Sequence, residues 1–541
     1  MGMGRHVLLL EPGYRNKYPP LGLMKIAAYH RERGDQVHFH KHGFGKLEKR
    51  DWDRVYLTTL FSFEWRRTAK AIDWSIGQVN GDRSKVFVGG IAASLMHERY
   101  LEVPEWRGVR FIKGLLDSSP AESLRLTDKD GPEAAEVARK AIEDYPPYYG
   151  WLNEEDREDT YPYRYPVEDA YIGYASRGCV RKCKFCGVPT LEGDQKVLSN
   201  MRGWVEAIKR TSGAKRDLIL MDNNVTAAPN YKEIMAEIRD LGFRRGAMQQ
   251  NPKTGKLRQR RVDFNQGVDA RILVKSPMYM REMGTIAIRP LRIAFDHIGM
   301  RKVYRKAVEM AADEGIEEIS NYMLYNFRDS PEDLYERMRV NREVNEERRI
   351  KVWSFPMRYQ PVTHIDRSHV GPRWTWYELR AFQIMLQVTH GAVSGTPGYF
   401  EVAYGANADE FKELLVRPLA FIWHRKHYTE GEGQATREEF ERQWARMSST
   451  DKSELMEIIG SGGGTAGLRK ACKDALESKG TSWRVREVLP CYAMETREKR
   501  NIELDREIAE KLREGIAIED AGIDTEEESS LGNTERESYV C

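Results

Sequence analysis

Short apolar runs alternate with amphipathic stretches over roughly the first 115 residues. Residues 6–11, 37–40, 55–60 and 86–90 are compact apolar runs of strand length, and residues 21–33 and 64–74 carry a helical spacing, the first helix stopping at Gly34. Strand and helix alternating at this interval predict a small parallel α/β sheet. The pattern lapses over residues 116–168, which are charged and rich in proline, with Tyr145-Pro-Pro-Tyr148 and Tyr161-Pro-Tyr-Arg-Tyr-Pro166. Proline at that density predicts an extended linker, with its tyrosines packed on the following domain. Alternation then resumes. Strands are predicted at 169–175, 218–224, 262–271, 291–296, 318–326 and 352–359, with helices near 199–212, 230–240, 276–284, 301–314 and 331–347. Ser330, Pro331 and Asp333 have the order of an N-cap, a first-turn proline and a capping box for the last of these helices. In such strand–helix series ligands belong at the C-terminal ends of the strands.

Beyond the sixth strand the pattern is helical. Residues 363–369 and 390–398, rich in polar residues, Gly and Pro, flank an amphipathic helix at about 376–389, and residues 366–430 are expected to close over the site as a lid. Residues 431–513 read as a charged helical extension. The glycine-rich run 459–465 lacks the Gly-Lys-Ser/Thr ending of a phosphate loop and is expected to be a flexible turn. From residue 514 to 541 there are nine acids and one arginine, which predicts a disordered acidic tail.

Composition narrows the class without naming a partner. The chain has 541 residues, 40% of them hydrophobic, and 86 basic residues nearly balance 83 acidic ones. A net charge of +3 does not by itself point to nucleic acid. No apolar run is long enough to cross a bilayer, His6 stands where a myristoylation signal needs Ser or Thr, and no secretory signal is evident. The expected compartment is the cytoplasm.

Six cysteines carry most of the chemical information. Cys179, Cys183 and Cys186 lie in Ser-Arg-Gly-Cys-Val-Arg-Lys-Cys-Lys-Phe-Cys-Gly, at Cys-x3-Cys-x2-Cys spacing, while Cys472, Cys491 and Cys541 are scattered near the C-terminus. A zinc site would want a fourth Cys or His close by, and three cysteines do not pair evenly into disulfides. Three thiolates can instead ligate three irons of a cubane cluster and leave the fourth open, where a four-cysteine set would saturate it. Each must then be a thiolate. Arg177, Arg181, Lys182 and Lys184 around them would favour that state, although the commoner role of such cations is to solvate a surface loop.

With Phe185 before the last cysteine, this segment resembles the radical S-adenosylmethionine (radical SAM) superfamily. Further likeness lies in Met221-Asp-Asn-Asn-Val-Thr226, Ala294-Phe-Asp296 and Tyr325-Asn-Phe-Arg-Asp-Ser-Pro-Glu-Asp333. Glu11-Pro-Gly13, Tyr18-Pro-Pro-Leu-Gly22 and Val88-Gly-Gly90 resemble the N-terminal domain of its cobalamin-binding members. The resemblance implies an α/β chain with a Rossmann-like domain over 1–115, a linker over 116–168 and a six-stranded partial (β/α) barrel over 169–365, followed by the helical extension. It implies a 4Fe-4S cluster on Cys179, Cys183 and Cys186, with S-adenosylmethionine chelated at the open iron. Phe185 would lie near the adenine, Asp222 and Asn224 would hold polar groups of S-adenosylmethionine, and Asp296 would contact ribose or substrate. Electrons would come from a flavodoxin- or ferredoxin-type reductant. Without a second local cysteine set, auxiliary-cluster members such as methylthiotransferases fit poorly. Cobalamin is implied more loosely: the base-off motif survives only as His40-Lys-His42-Gly-Phe-Gly45, with His where Asp is usual.

Several outcomes stay open at this level. With cobalamin, methyl transfer to an unactivated carbon is expected; without it, hydrogen abstraction driving a modification or rearrangement. Arg244, Arg245, Lys253, Lys256, Arg258, Arg260 and Arg261 occur without an acid between them, and would suit an RNA-modifying enzyme if the run tracks phosphates. A basic solvated hairpin tip explains the same residues. The non-enzymatic alternative is a protein stabilised by zinc on the three cysteines.

Overall fold

The computed structural model describes residues 4–118, 120–125, 140–152, 163–198, 200–252, 254–389, 391, 393–394 and 398–493. The acidic tail, residues 494–513 of the helical extension, Cys541 and much of 390–397 lie outside the described residues. The chain is mixed α/β with parallel sheets and many helices.

The lead sheet has five parallel strands in the order Gln36–Lys41, His6–Glu11, Arg54–Thr59, Val86–Gly90 and Arg110–Phe111. Alternation along the strands divides their side chains between two cores. Val7, Leu9, Tyr56 and Phe87 enter one, while Leu8, Leu10, Val55, Leu57, Val86 and Val88 enter the other with Ala71 and Ile72. A sheet buried on both faces reads as continuous apolar runs, which is why these strands were visible in the sequence. The order reverses direction at His6–Glu11 and Arg54–Thr59, and parallel sheets take ligands beyond the C-terminal ends at such a point.

The linker is packed where it is described. Ile142, Tyr145, Tyr149, Trp151, Leu152 and Tyr165 are buried in the same core as one face of the lead sheet. The Tyr149 hydroxyl donates to the Ala170 carbonyl at 2.9 Å and accepts from the Ile172 amide at 2.9 Å. It thereby fixes the start of the second strand series.

That series contains six parallel strands in chain order. Ala170–Gly173, Asp217–Leu220 and Arg261–Phe264 form one sheet. Leu291–Ala294, Glu318–Tyr325 and Lys351–Arg358 form another, with Val393–Ser394 added antiparallel. Isolated parallel bridges, Val262 with Ile288 and Val268 with Ile293, join the two. The intervening helices include Met201–Ser212, Tyr231–Asp240, Pro277–Gly284, Arg301–Asp313 and Pro331–Arg348. Ser330 and Asp333 form the expected capping box on the last. The third strand is shorter than the pattern predicts. It stops at Phe264, because Gly267 turns the chain at φ +80° and Asp269 caps the short helix Ala270–Leu273.

Helix Trp376–Val388, opened by a Thr375–Glu378 capping box, leads into a C-terminal helical region with its own core around Tyr377, Phe421, Phe440, Leu455 and Val485. The glycine-rich run connects helices Ser449–Gly460 and Thr465–Glu477. Among the described residues no helix is long and apolar enough to cross a membrane.

Candidate functional site

The C-terminal edges of the two strand series face one cavity of about 800 Å³. From the lead sheet it is lined by the loop from Tyr14 to Pro20, by residues 58–64 and by Gly89, Gly90 and Ile91. Opposite stand Cys179, Cys183, Cys186 and Phe185, together with Met221, Asn223, Asn224, Asp269, Arg271 and Asp296 from successive strand ends. Tyr359, Gln360, Val362 and Arg367 complete the wall from the segment after the sixth strand. Arg367 stacks over the Phe63 ring at 4.0 Å, so this segment reaches across to the loop that follows strand Arg54–Thr59.

The cysteine loop is fixed at its base. Ser176–Arg177 pairs antiparallel with Lys196–Val197. Gly178 has φ +77°, and a Cβ there would lie 2.1 Å from the Asp194 carbonyl oxygen, so only glycine fits. The Arg181 amide points at the Cys179 sulfur and the Val188 amide at the Cys186 sulfur, each at 3.4 Å. The Cys186 amide donates to the Cys183 carbonyl at 3.1 Å. Burial pushes the Cys179 thiol above its ordinary value, and burial with the nearby Asp296 pushes Cys183 up to about 11. Burial thus favours the thiol form of both, against which the Arg181 amide and guanidinium pull Cys179 and Arg271 pulls Cys183.

The loop's four cations divide into two pairs. Arg177 turns inward, bonds Glu192 and sits 4.1 Å from the Tyr174 ring, with Glu143 at 3.5 Å. Arg181 donates to Asp269 at 2.7 Å. Both arginines are paired with carboxylates, although Arg181 still favours the ionised form of Cys179. Lys182, paired with Asp194 at the surface, and Lys184 are exposed.

The other predicted site residues separate in the same manner. Asp222 does not line the cavity. Its buried carboxylate accepts from the Ala175 amide at 2.9 Å, the Ser176 amide at 2.5 Å and the Ser176 hydroxyl at 2.6 Å. It braces the entry to the cysteine loop, because the polar tail of its strand folds back on the neighbouring strand. Burial holds its carboxyl up at about 6 despite those donors. Asn224 does reach the cavity, and its side-chain oxygen accepts from the Thr226 hydroxyl at 2.7 Å. Asp296 also faces the cavity; burial raises its carboxyl to about 6 against the pull of Arg337 and Arg271. Phe185 meets Phe327 edge-on, with ring centres 5.7 Å apart.

Three features escaped sequence reasoning. Asp269 bridges Arg181 of the cysteine loop and Arg271, at 2.7 and 2.8 Å; despite burial, those partners hold its carboxyl below the ordinary value. Arg337, fully buried, donates to the carbonyls of Phe295 and Leu324 and to Asp329, tying together two strand ends beside the cavity. Asn326, at φ +69°, accepts from the Gly371 amide and donates to the carbonyls of Tyr359 and His369, anchoring the cavity-closing segment. For Asp269 and Asn326 the sequence signal was the placement of polar residues just past an apolar strand; Arg337, inside helix Pro331–Arg348, had no such signal.

Two expected sites lie elsewhere. His40 and His42 pack against Trp74, with ring centres 5.3 and 5.5 Å away, and neither lines the cavity. Burial lowers both, His40 to about 4. The histidine of a base-off cobalamin motif thus does not reach the site. The basic hairpin joins the opposite, N-terminal ends of the strands: Arg258 pairs with Asp169 at 2.9 Å and Arg261 with Asp217 at 3.1 Å. Arg260 lies 3.6 Å from the Phe243 ring, and Arg245 donates to the carbonyls of Glu314 and Gly315. These four arginines secure the hairpin to the body; Lys253 lies outside the described residues.

Among the described residues no three His, Cys, Asp or Glu side chains are grouped so as to hold one metal ion. A single zinc needs its donors on one point, whereas thiolates serving different irons of a cubane do not.

No protein-family model matches the chain. No curated protein matches it. Among solved structures, it is similar to the radical S-adenosylmethionine methyltransferase TsrM from Kitasatospora setae, solved with cobalamin and a 4Fe-4S cluster bound. The identity is 15%, the TM-score 0.44, and the match covers 67% of this chain and 77% of that one.

Proposed function

We propose that this chain is a radical SAM enzyme of the cytoplasm whose barrel, residues 169–365, carries a 4Fe-4S cluster on Cys179, Cys183 and Cys186. The observation that carries the reading is the joint placement of these three thiols on one cavity, at the C-terminal ends of parallel strands. When bound, the cluster would supply one electron to cleave S-adenosylmethionine into methionine and a 5′-deoxyadenosyl radical, which abstracts hydrogen from substrate.

The chain's own residues have definite tasks in this reading. The amides of Arg181 and Val188 donate to two of the sulfurs and stabilise their anionic form. Asp222 holds the loop entry, and Asp269 clamps Arg181 against Arg271, so the three sulfurs keep a fixed spacing. Asn224 and Asp296 present polar atoms to the ligand, and Phe185 offers an apolar face. The segment around Tyr359 and Arg367 forms one wall of the cavity and would help to keep water from a reactive radical.

A second reading is favoured by the lead sheet, whose switch-point edge opens on the same cavity. Cobalamin would lie against residues 58–62 and Gly89–Gly90, held without His40 or His42, and the reaction would be a methyl transfer.

Anaerobic reconstitution tests both. Four irons per chain, a brown colour, and release of methionine and 5′-deoxyadenosine on reduction are expected, with Cys183→Ala losing iron and cleavage together. Stoichiometric zinc and no S-adenosylmethionine cleavage would overturn the proposal. Failure to retain cobalamin would remove the second reading alone.

A further inference from the structure

The cavity has two unlike walls. Its barrel side carries the three thiols together with Asn224, Asp269 and Asp296. The lead side is built from the loops that follow three neighbouring strands of the lead sheet. Leu60, Phe61 and Phe63 come after Arg54–Thr59, Ile91 and Leu95 after Val86–Gly90, and Leu115 after Arg110–Phe111. All six line the cavity and are only half-buried. The polar side chains beside them are engaged with neighbours. Thr59 donates to the Gly89 carbonyl at 2.8 Å and accepts from the Ala93 amide at 2.9 Å. Lys25 pairs with Glu143 at 2.8 Å, Arg67 with Glu64 at 3.3 Å, and the Tyr14 hydroxyl bonds that of Thr68. The apolar wall reaches the cysteine loop: a Cβ at Gly187, the residue after Cys186, would lie 2.9 Å from Cδ1 of Leu95.

Resting on the radical SAM reading above, we infer that the lead side of the cavity takes the substrate, and that this substrate is predominantly hydrocarbon, an aliphatic or isoprenoid chain, rather than a nucleotide, a sugar or a peptide. The cavity, about 800 Å³, lies towards the upper end of the roughly 300–1,000 Å³ of single small-molecule sites, so a second molecule fits beside S-adenosylmethionine. The amino, carboxylate and ribose groups of S-adenosylmethionine call for the polar barrel side. The space left to a substrate is bounded by leucine, isoleucine and phenylalanine. A sugar or peptide placed there would bury hydroxyls or amides beside side chains whose polar atoms are already taken, and each unpaired group weakens binding. A hydrocarbon instead gains from every methylene it removes from water. Phe61 and Phe63 stack on each other with ring centres 5.1 Å apart, so they form no open clamp for a flat ring, and the other four residues are aliphatic. Arg15, exposed where the loop from Tyr14 to Pro20 borders the cavity, can meet a polar end group. A substrate in this space leaves no room there for cobalamin.

The test uses the full chain, reconstituted with its cluster and saturated with S-adenosylmethionine, so that the lead side alone is open. Displacement of the fluorophore anilinonaphthalene sulfonate reports binding. Dodecanoate should displace it, and the shorter octanoate should bind at least about tenfold more weakly. Glucose and a dipeptide should not displace it. Leu115→Asp should weaken dodecanoate binding at least about tenfold with iron content unchanged, because it sets a carboxylate in the apolar wall. Should that variant lose iron, Phe61→Ser gives the deciding affinity. Leu101→Asp, at a surface residue 53% exposed, should bind dodecanoate as wild type does. Binding that ignores chain length, an equal loss in Leu101→Asp, no loss in either cavity variant, or stoichiometric cobalamin held on the lead side would each overturn the hydrocarbon substrate. If wild type takes up no iron or cleaves no S-adenosylmethionine, the functional reading itself falls. If it cleaves S-adenosylmethionine but shows none of this discrimination, only the hydrocarbon substrate falls.

Discussion

The two sheet edges that meet at the cavity are built on opposite plans. On the lead side, polar groups satisfy one another. Lys41 is fully buried and bonds Glu11 at 2.9 Å and Asn16 at 2.7 Å; Asn16 donates to Glu11 at 2.8 Å, and the Tyr165 hydroxyl also donates to Glu11. Lys41 lies 3.8 Å from the Tyr163 ring as well. Strand ends, loop and linker are thereby locked together. On the other side, Asp296, Asn224, Asp269 and the cysteines keep polar or thiol atoms on the cavity wall, while Asp222 and Arg337 brace them from behind. One edge uses buried charge to lock strand ends, loop and linker together; the other uses it to brace the cysteine loop.

The contrast can be broken by substitution. Lys41→Met should be the most damaging, costing about 3–5 kcal/mol, because Glu11 is left charged and buried without its partner. Adding Glu11→Gln should restore part of that loss. Urea midpoints of the two variants check this, and equal damage from both would mean the pair is not coupled.

Asp222→Asn should cost about 1–3 kcal/mol by leaving a backbone donor of the loop entry unpaired. Its pH dependence has a definite sign. Burial holds the Asp222 carboxyl at about 6, above its ordinary 3.8. Its contribution is therefore complete below 3.8 and lost as pH rises through about 6. The Tm gap between wild type and variant should narrow from pH 5 to pH 8; a widening gap would reverse the assignment.

Arg258→Gln, on the hairpin at the far end of the strands, should cost less than about 1 kcal/mol, since its pair with Asp169 is partly exposed. Iron content after reconstitution should not change. An altered iron content would tie the hairpin to the site after all.

Much of the architecture was legible from the chain. Periodicity located four of the five lead strands and all six of the second series, missing Arg110–Phe111 and running the third strand past Phe264 to 271, because strands buried on both faces and helices with one buried face leave different spacings. The linker tyrosines depart from the expected packing on the following strands: Tyr149 does bond Ala170 and Ile172, but Tyr145, Tyr163 and Tyr165 meet Tyr29, Lys41 and Glu11 on the lead side. The Ser330–Asp333 cap was readable, being local. Asp222 was not: the same pattern that placed it at a strand end is silent on whether it faces a ligand or a neighbouring strand. Its partners, Ala175 and Ser176, lie more than forty positions away. The surroundings of His40 and His42 were hidden for the same reason, since Trp74 reaches them from helix Trp65–Gln78.

The sequence by itself determined the elements, their order and the three-thiol loop, because hydrophobic period, capping and ligand spacing act over a few residues. Only the tertiary structure decided that the two sheet edges share a cavity, which carboxylates brace the loop and which face it, and that the basic hairpin sits at the opposite end. Those outcomes depend on contacts between residues distant in the chain, where burial and pairing are settled by whichever neighbours the fold supplies.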